Sequence, residues 1–278
     1  MIDQFWLFHC GYARVPRAAI VANAGYEIVS LPFMAAVAVH SEHGPILVDA
    51  PYGHDGPKNA SVLMASMLRA TGLKFREEWS VVPRLEQLGY QGTEIKHILM
   101  THLHSDHTGA MKELTHATFH LFEQEWSFPF TLSPIKAMFN GYARADFSGL
   151  SEQVKLHESP QLGEDEALRG VDVFGDGSVE MIPLHGHSPG MAGYRFTLAD
   201  GRRIFHVGDA AFFLSHITEG DELGFLPRNF AQSLAPTQKT LERLRRHHVA
   251  FPDDVLVTSH DCGLGGQCLE RPVALHAI

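Results

Sequence analysis

Cysteine is scarce in this chain, and long apolar runs are absent. The three cysteines, Cys10, Cys262 and Cys268, are odd in number and widely spaced, so the sequence predicts neither a disulfide framework nor a zinc ribbon. No apolar run approaches the length of a membrane span, and the patch at residues 5–8 is too short for a signal sequence and lacks preceding basic residues. We therefore expect no membrane partner and a location in the reducing cytoplasm.

Positive charge is also in short supply. The chain carries 32 acidic and 22 basic side chains, which gives a net charge of -10 when histidine is neutral. Proteins that bind nucleic acid concentrate positive charge on their surface. The charge balance therefore argues against a nucleic-acid partner and against a nuclease.

The remaining composition suits one α/β domain with a large core. The chain has 278 residues, of which 45% are hydrophobic. Hydrophobic periodicity predicts that residues 57–90 are mainly helical, that 237–248 form a helix, and that 14–25 form a loop. Apolar and β-branched runs between turn residues predict strands at 5–8, 34–40, 46–48, 95–100, 118–122, 171–174, 179–182, 194–198, 203–207 and 255–257.

The segment around 124–166 is rich in aromatic residues and is predicted to be a helical insertion. Its Trp126, Phe139 and Tyr142 are candidate substrate-binding residues. Aromatic side chains at this density suit an apolar pocket or lid, a contact between two copies of the chain in a homodimer, or ordinary core packing. Met64 and Met67 are candidates of the same kind, because methionine adapts to irregular apolar ligands, with core packing as the alternative.

Metal-binding residue types are most concentrated at residues 101–109, whose sequence is THLHSDHTG and which follow the apolar run 98–100. His102 and His104 are two positions apart, so in an extended segment they point the same way and can hold one cation together. Asp106 and His107 follow where the chain turns into a helix, so they face another direction and can hold a second cation. Nitrogen and oxygen ligands suit zinc, iron, cobalt or manganese.

This motif resembles the signature of the metallo-β-lactamase superfamily, and within it the chain is most similar to the N-acyl homoserine lactonases. The resemblance extends to the predicted hairpin at 31–49 and to segments 186–190, 208–211 and 259–261, which occur in the expected order. It implies an α/β fold, an αββα sandwich of two mixed β-sheets flanked by helices, formed by residues 1–278 as a single domain.

The resemblance also implies the ligands of two divalent metal ions, with zinc as the first choice. His102, His104 and His187 would hold the first ion, and Asp106, His107 and His260 the second. Asp209 would bridge the two ions, and Asp49 would support the metal-binding loop. His185 competes with His187, which is preferred because it lies in the segment GHSPG. A hydroxide bridging the ions would attack a lactone carbonyl, and Asp106 would carry a proton to the leaving alkoxide.

One position departs from the lactonases that the chain resembles. They commonly carry a tyrosine three residues after the bridging aspartate, where its hydroxyl donates a hydrogen bond to the lactone. This chain has Phe212 there, and a phenyl ring donates no such bond. Either another donor serves, with Tyr142, His185 and His216 as candidates, or the substrate differs.

The leading hypothesis is a metal-dependent hydrolase of a lactone such as an N-acyl homoserine lactone, whose apolar acyl or aryl group would contact Phe212 and Phe213. Hydrolysis of an aryl ester, another lactone or an organophosphate is the main alternative. An iron-dependent dioxygenase on the same fold is less favoured. A glutathione thioesterase would need basic anchors that the sequence does not offer, and a protein that only binds ligands is disfavoured because all seven ligand positions hold competent residues.

Overall fold

The computed structural model describes residues 1–57, 72–161, 163, 167–261 and 269–277. Much of the predicted helical segment 57–90, including Met64 and Met67, lies outside the described residues, as do Cys262 and Cys268. The described part of that segment contains a 3-10 helix, Glu77–Trp79, and the helix α1, Val81–Gln87.

A seven-stranded mixed sheet contains the N-terminal half of the chain. Its neighbouring strands follow the order β12-β1-β2-β3-β4-β5-β6, antiparallel as far as β3 and parallel from β3 to β6. The first strand is longer than the sequence predicts and takes in the start of the predicted loop 14–25, because Ala13 and Val15 bury against the core. The strands are β1 (Ile2–Pro16), β2 (Ile28–His40), β3 (Gly44–Val48), β4 (His97–Leu99), β5 (Thr118–Phe122), β6 (Val154–His157) and β12 (Val273–Ala274).

A five-stranded sheet contains most of the C-terminal half. Its order is β11-β10-β9-β8-β7, and it is antiparallel except for the pair β10 and β11. The strands predicted at 171–174 and 179–182 pair as a hairpin, as do those predicted at 194–198 and 203–207, and Gly175, Gly177 and Gly201 adopt the positive φ angles that their turns require. The strands are β7 (Val171–Asp172), β8 (Val179–Pro183), β9 (Ala192–Thr197), β10 (Arg203–Gly208) and β11 (Val255–Thr258).

The helices follow or separate these strands. The longest, α7 (Leu234–Ala250), confirms the helix predicted at 237–248. Among the described residues, no helix combines the length and the apolar character needed to cross a membrane. The other α-helices after α1 are α2 (Ser105–Thr108), α3 (Glu123–Thr131), α4 (Pro134–Phe139), α5 (Ser215–Thr218) and α6 (Phe225–Phe230).

Three apolar clusters show that the layers are stacked as helices, sheet, sheet and helices. Successive residues of β2 point to opposite faces of the first sheet, so Met34 and Ala36 face the second sheet while Ala35 and Val37 face the cluster that includes α1. The outer face of the second sheet packs Phe205 against Leu241 and Leu244 of α7. The predicted αββα sandwich of two mixed sheets is therefore confirmed.

The aromatic segment 124–166 is not helical throughout. It begins with α3 and α4, continues through two 3-10 helices, and includes β6 at residues 154–157, which forms the edge of the seven-stranded sheet. Residues 154–157 pair in parallel with β5, and this long-range pairing determines their conformation.

A row of histidines crosses three neighbouring strands of the first sheet. His97 Nδ1 lies 3.1 Å from His120 Nε2, and His120 Nδ1 lies 3.1 Å from His157 Nε2. Phe174, from the hairpin between β7 and β8, contacts the rings of His97 and His120. Burial is the largest cause that lowers the pKa of all three, that of His120 to about 3, and the positive charge of Lys155 contributes for each of them.

We expect this row to make the protein sensitive to acid. The folded pKa of His120 is below the value of about 6.5 in an unfolded chain, so the unfolded state binds the proton first as the pH falls. Each proton that only the unfolded state binds lowers the free energy of unfolding by about 1.4 kcal/mol per pH unit. The contribution of His120 to the free energy of unfolding should therefore be fully present above about pH 6.5 and should decrease as the pH falls from there toward 4.

Denaturant unfolding of metal-loaded protein between pH 7 and pH 4.5 measures this effect. His120→Leu should flatten the pH dependence by about one proton's contribution, whereas His116→Leu, a change at an exposed histidine, should leave it as in the wild type. Equal slopes for the wild type and His120→Leu would contradict the prediction.

Candidate metal centre

Four separate segments bring the predicted metal ligands to one edge of the sandwich. His102 and His104 follow β4, and α2 carries Asp106 and His107. The other three predicted ligands also follow strands, and each lies in the segment where the chain leaves the sheet. His187 follows β8, Asp209 follows β10 directly, and His260 follows β11.

All seven predicted ligands converge in the structure. Their ligand atoms form three groups within 4.8 Å, namely His102, His104 and His187; His102, His107 and Asp209; and Asp106, His107 and His260. His185, the competitor of His187, lies elsewhere, where its Nε2 is 3.1 Å from Ser159 Oγ.

Asp209 lies between the groups. Its Oδ2 is 3.0 Å from His260 Nε2 and 3.4 Å from His187 Nε2, and its Oδ1 is 3.4 Å from His107 Nε2. A single carboxylate therefore contacts histidines from both halves of the cluster. The Asp106 carboxylate also approaches His260, at 3.6 Å from its Nε2, and the Asp106 side chain is 23% exposed.

The cluster has the unpaired atoms expected of a metal-binding site. His102 Nε2, His107 Nε2 and Asp209 Oδ1 are buried and have no hydrogen-bond partner among the described residues. Each buried polar atom left unpaired costs about 1–3 kcal/mol, so a fold that gathers three of them without a ligand would be destabilised. Imidazole nitrogens and carboxylate oxygens are ligands that zinc, iron, cobalt and manganese accept, and the residues therefore fit such ions.

Hydrogen bonds on the far side of the His107 and His260 rings turn their Nε2 atoms inward. His107 Nδ1 donates to Asp49 Oδ2 at 2.8 Å, and His260 Nδ1 donates to the carbonyl of Pro32 at 2.8 Å. Asp49 also accepts from the backbone nitrogen and the hydroxyl of Thr101, at 2.7 and 2.8 Å. These contacts select the tautomer in which Nε2 has a free lone pair.

Burial and the nearby carboxylates have opposite effects on the pKa values of the clustered histidines. Burial lowers the pKa of His102 well below its usual value and brings those of His104 and His187 to about 3, which keeps these rings in the neutral form that binds a cation. For His107, burial has the same tendency, but the carboxylates of Asp209 and Asp49 outweigh it and raise the pKa well above its usual value.

A cleft with mostly apolar walls opens onto this cluster. Its polar side chains are those of Ser105 and of five predicted ligands, and no lysine or arginine is among the described residues that line it. The apolar lining comes from β1, β2, α6 and the segment after β10, and consists of Ala13, Val15, Leu31, Phe33, Phe212, Leu226 and Phe230.

Only one predicted substrate-binding residue among those described lines this cleft. Phe212 does so, with its ring centroid 4.6 Å from that of His260. The others lie elsewhere: Phe213 stacks on His216, Trp126 packs against Phe130 and Phe147, Phe139 is 65% exposed on α4, and Tyr142 packs behind His104.

The three residues considered as replacements for the absent tyrosine also point elsewhere. His185 bonds Ser159, and His216 Nε2 donates to the carbonyl of Ile20 at 3.2 Å. Tyr142 does not line the cleft, and its hydroxyl is buried without a hydrogen-bond partner among the described residues. Ser105 lines the cleft and lies inside the metal motif, but no pattern in the sequence distinguishes it as a hydrogen-bond donor.

The segment GHSPG also matches Gly-x-Ser-x-Gly, the pattern around the nucleophilic serine of many hydrolases. Ser188 is fully buried, and its hydroxyl donates to Glu125 Oε2 at 2.6 Å. A hydroxyl held in this way by a carboxylate and shielded from the cleft is not a nucleophile.

Comparison with known proteins agrees with this architecture. N-acyl homoserine lactonase AttM of Agrobacterium fabrum (strain C58) is 30% identical over 180 residues, which are 65% of this chain and 63% of the relative. The chain thus spans less than two thirds of the length of that relative.

Solved structures share the fold at low sequence identity. A structure of N-acyl homoserine lactone hydrolase with the product N-hexanoyl-L-homoserine at its catalytic metal centre matches with a TM-score of 0.74 and 17% identity, covering 96% of this chain and 97% of the other. AidC, a dizinc quorum-quenching lactonase, matches with a TM-score of 0.65 and 12% identity, covering 95% and 90%. The model of the metallo-beta-lactamase superfamily matches residues 35–260. The chain therefore belongs to the metallo-beta-lactamase superfamily.

Proposed function

We propose that this protein is a dinuclear metal-dependent hydrolase that opens a lactone ring, with an N-acyl homoserine lactone as the first substrate to test. The observation that carries the proposal is the position of Asp209 within 3.4 Å of histidines from both halves of the ligand cluster. A carboxylate in that position suits a bridge between two ions. Relatives named as lactonases support the choice of substrate.

The ligands divide into two sets around that bridge. We assign His102, His104 and His187 to one ion, and Asp106, His107 and His260 to the other. Two divalent cations held there, with zinc as the first choice and iron, cobalt or manganese as alternatives, would lower the pKa of a bound water molecule and would polarise the ester carbonyl.

Asp106 is the proposed proton carrier. Its side chain is 23% exposed, against 3% for Asp209, the other carboxylate in the cluster, and Asp106 lines the cleft. A partly exposed carboxylate at the cleft can take the proton from the attacking water and deliver it to the departing alkoxide. Asp209, which contacts several histidines, has no such freedom.

The walls of the cleft favour a neutral substrate with an apolar group. Val15, Leu31 and Phe230 are among the side chains that would contact an acyl or aryl group and exclude water from the reacting ester. Because no lysine or arginine is found among the described lining residues, the cleft walls offer no side chain suited to pair with the carboxylates of an anionic substrate such as a glutathione thioester.

Ser105 is the proposed hydrogen-bond donor that takes over from the absent tyrosine. It is the one polar side chain among the described lining residues that does not belong to the ligand set. Its backbone nitrogen donates to the carbonyl of Gly141 at 2.9 Å, which fixes the start of α2 beside His104.

Ser105→Ala should therefore lower kcat/KM for the lactone by about 10-fold, because the lost hydrogen bond to the reacting ester contributes about 1.4 kcal/mol. Steady-state kinetics measure this, with metal content determined in parallel. The metal content should not change, and Ser127→Ala, on an exposed serine of α3, should behave as the wild type. Unchanged kcat/KM in Ser105→Ala would remove Ser105 from the proposed mechanism.

The function is tested by stripping the protein with a chelator and restoring zinc, cobalt, manganese or iron(II) separately. Acid release is then followed from short- and long-chain acyl homoserine lactones. Two ions per chain with metal-dependent ring opening are expected. Two ions without ring opening would reject the lactone and turn the search to aryl esters and phosphotriesters, which an apolar cleft containing Phe212 suits. A single iron with oxygen uptake would overturn the hydrolytic mechanism.

The organisation of the chain as one domain with an aromatic insertion at 124–166, its cytoplasmic location and a homodimeric state stay predictions. Sedimentation of the metal-loaded protein tests the last of these.

A further inference from the structure

Glu125 is a buried carboxylate of α3 that the proposed chemistry does not use. It has no solvent exposure. Its Oε1 accepts a hydrogen bond from the backbone nitrogen of Leu103 at 2.9 Å, and its Oε2 accepts from Ser188 Oγ at 2.6 Å and from the backbone nitrogen of Gly190 at 3.1 Å. Three donors thus converge on one carboxylate.

The donors come from the two loops that carry one ligand set. Leu103 lies between His102 and His104, and Ser188 directly follows His187. Each oxygen of the carboxylate holds a different loop, so Glu125 determines how far apart the two loops lie. The imidazoles of His104 and His187 face each other across that gap, with Nδ1 and Nε2 2.9 Å apart.

The charge of Glu125 is also suited to a site that holds cations. Neither lysine nor arginine is among its hydrogen-bond partners in the described part of the chain, although a buried carboxylate is costly without positive charge nearby. Asp106, Asp209, Asp49 and Glu125 together supply four negative charges in and around the cluster. Two divalent cations would bring positive charge that offsets these carboxylates.

We propose that Glu125 is a positioning residue that sets the affinity of the His102, His104 and His187 set for its metal ion, independently of the set that contains Asp106. The proposal rests on the dinuclear centre proposed above but not on the identity of the substrate. A purely structural role is the competing explanation, since any buried carboxylate with three donors contributes to stability.

Cobalt(II) titration of the metal-free protein separates these explanations, because it measures the binding of each ion directly by calorimetry and by the visible absorption of the bound cobalt. In Glu125→Gln, the amide cannot accept from both loops and carries no charge. We expect one of the two cobalt ions to bind about 10- to 100-fold more weakly, as when a hydrogen-bond partner of a metal ligand is removed, and the other to bind with unchanged affinity.

The affected ion is assigned by repeating the titration in a His260→Ala background, which disables the set containing Asp106. There the remaining ion should show the full loss of affinity caused by Glu125→Gln. If instead the ion lost in Glu125→Gln belongs to the Asp106 set, the proposal is overturned.

Asp254→Asn is the matched control. Asp254 is also a buried carboxylate, but it is bonded to Arg203 and His247, away from the cluster. It should lower the unfolding temperature and leave both cobalt affinities unchanged. If Glu125→Gln behaves in the same way, its role is only structural and the proposal is wrong.

Two further measurements keep the test decisive. Ser188→Ala removes one of the three donors, so it should lower the affinity for the same ion by a few-fold even if Glu125→Gln does not fold. An unchanged affinity would count against the proposal.

The wild type is titrated first, and fewer than two ions per chain would refute the dinuclear centre itself. Two ions with no lactone hydrolysis would reject the substrate alone and leave the role of Glu125 to be judged from the variants.

Discussion

Asp209→Ala should reduce bound metal from the proposed two ions per chain to at most one and lower hydrolysis by at least about 10³-fold, the upper end of the range for losing a single transition-state donor. The reason is its position. Asp209 is the residue whose two oxygens reach histidines of both ligand sets, at 3.0 to 3.4 Å. Removing it leaves the imidazoles of His107 and His260 without their shared partner.

Metal analysis of the purified variant and hydrolysis at saturating metal measure the two effects together. Asp253→Ala, at an exposed aspartate, serves as the control and should keep both metal ions and full activity. An Asp209→Ala variant that still binds two ions and hydrolyses the substrate at a tenth of the wild-type rate would show that the carboxylate does not bridge them.

Gly190→Ala should lower the free energy of unfolding by about 3 kcal/mol, the upper part of the range for overpacking a close contact. A Cβ at this glycine would lie 2.8 Å from both Cα and Cβ of Glu125, and closer still to its backbone nitrogen. Because helix α3 cannot move away without breaking its bonds to the metal-binding loops, the loop that carries His187 has to shift.

Denaturant unfolding of the metal-free protein measures the loss of stability, and cobalt titration shows whether the His187 loop has moved. Gly92→Ala is the matched control, since a Cβ there would lie 3.4 Å from Val82 Cγ2, which is ordinary contact. It should be neutral or slightly stabilising. Equal stability of the two variants would mean that the approach of Gly190 to Glu125 is looser than described.

Much of the candidate site could be predicted because its signal is local. Four of the seven predicted ligands lie within six positions of one another, and an extended segment followed by a helix turn orients them in a known way. His187, Asp209 and His260 are far away in sequence, and only the order of the family's motifs linked them to that loop. Their convergence depends on the two sheets stacking, which no single segment encodes.

The substrate-binding residues were harder to predict because burial and direction depend on distant neighbours. Trp126 and Tyr142 had the composition of a pocket, yet they pack against other aromatic rings behind the cleft. The lining residues Val15 and Leu31 look like ordinary strand residues, and they lie where β1 and β2 continue to pair with each other beyond the part of β2 that pairs with β3.

Glu125 shows the same limit for a polar residue. In the sequence it is one of two glutamates at the start of a helix, where an acidic side chain is usually solvated and stabilises the helix end. The structure buries it, because β5 carries α3 between the loops of His104 and His187.

The sequence by itself determined that residues 101–109 can bind metal, because residue spacing acts over a few neighbouring positions. Its resemblance to a known family supplied the order of the other ligand segments and the class of the fold. The tertiary structure decided which carboxylates support the ligands, which apolar side chains face the cleft, and that Ser105 is the one polar residue outside the ligand set among the described residues that line it. These depend on contacts between residues up to 228 positions apart, such as the bond from His260 to Pro32, and such contacts exist only once the layers have packed.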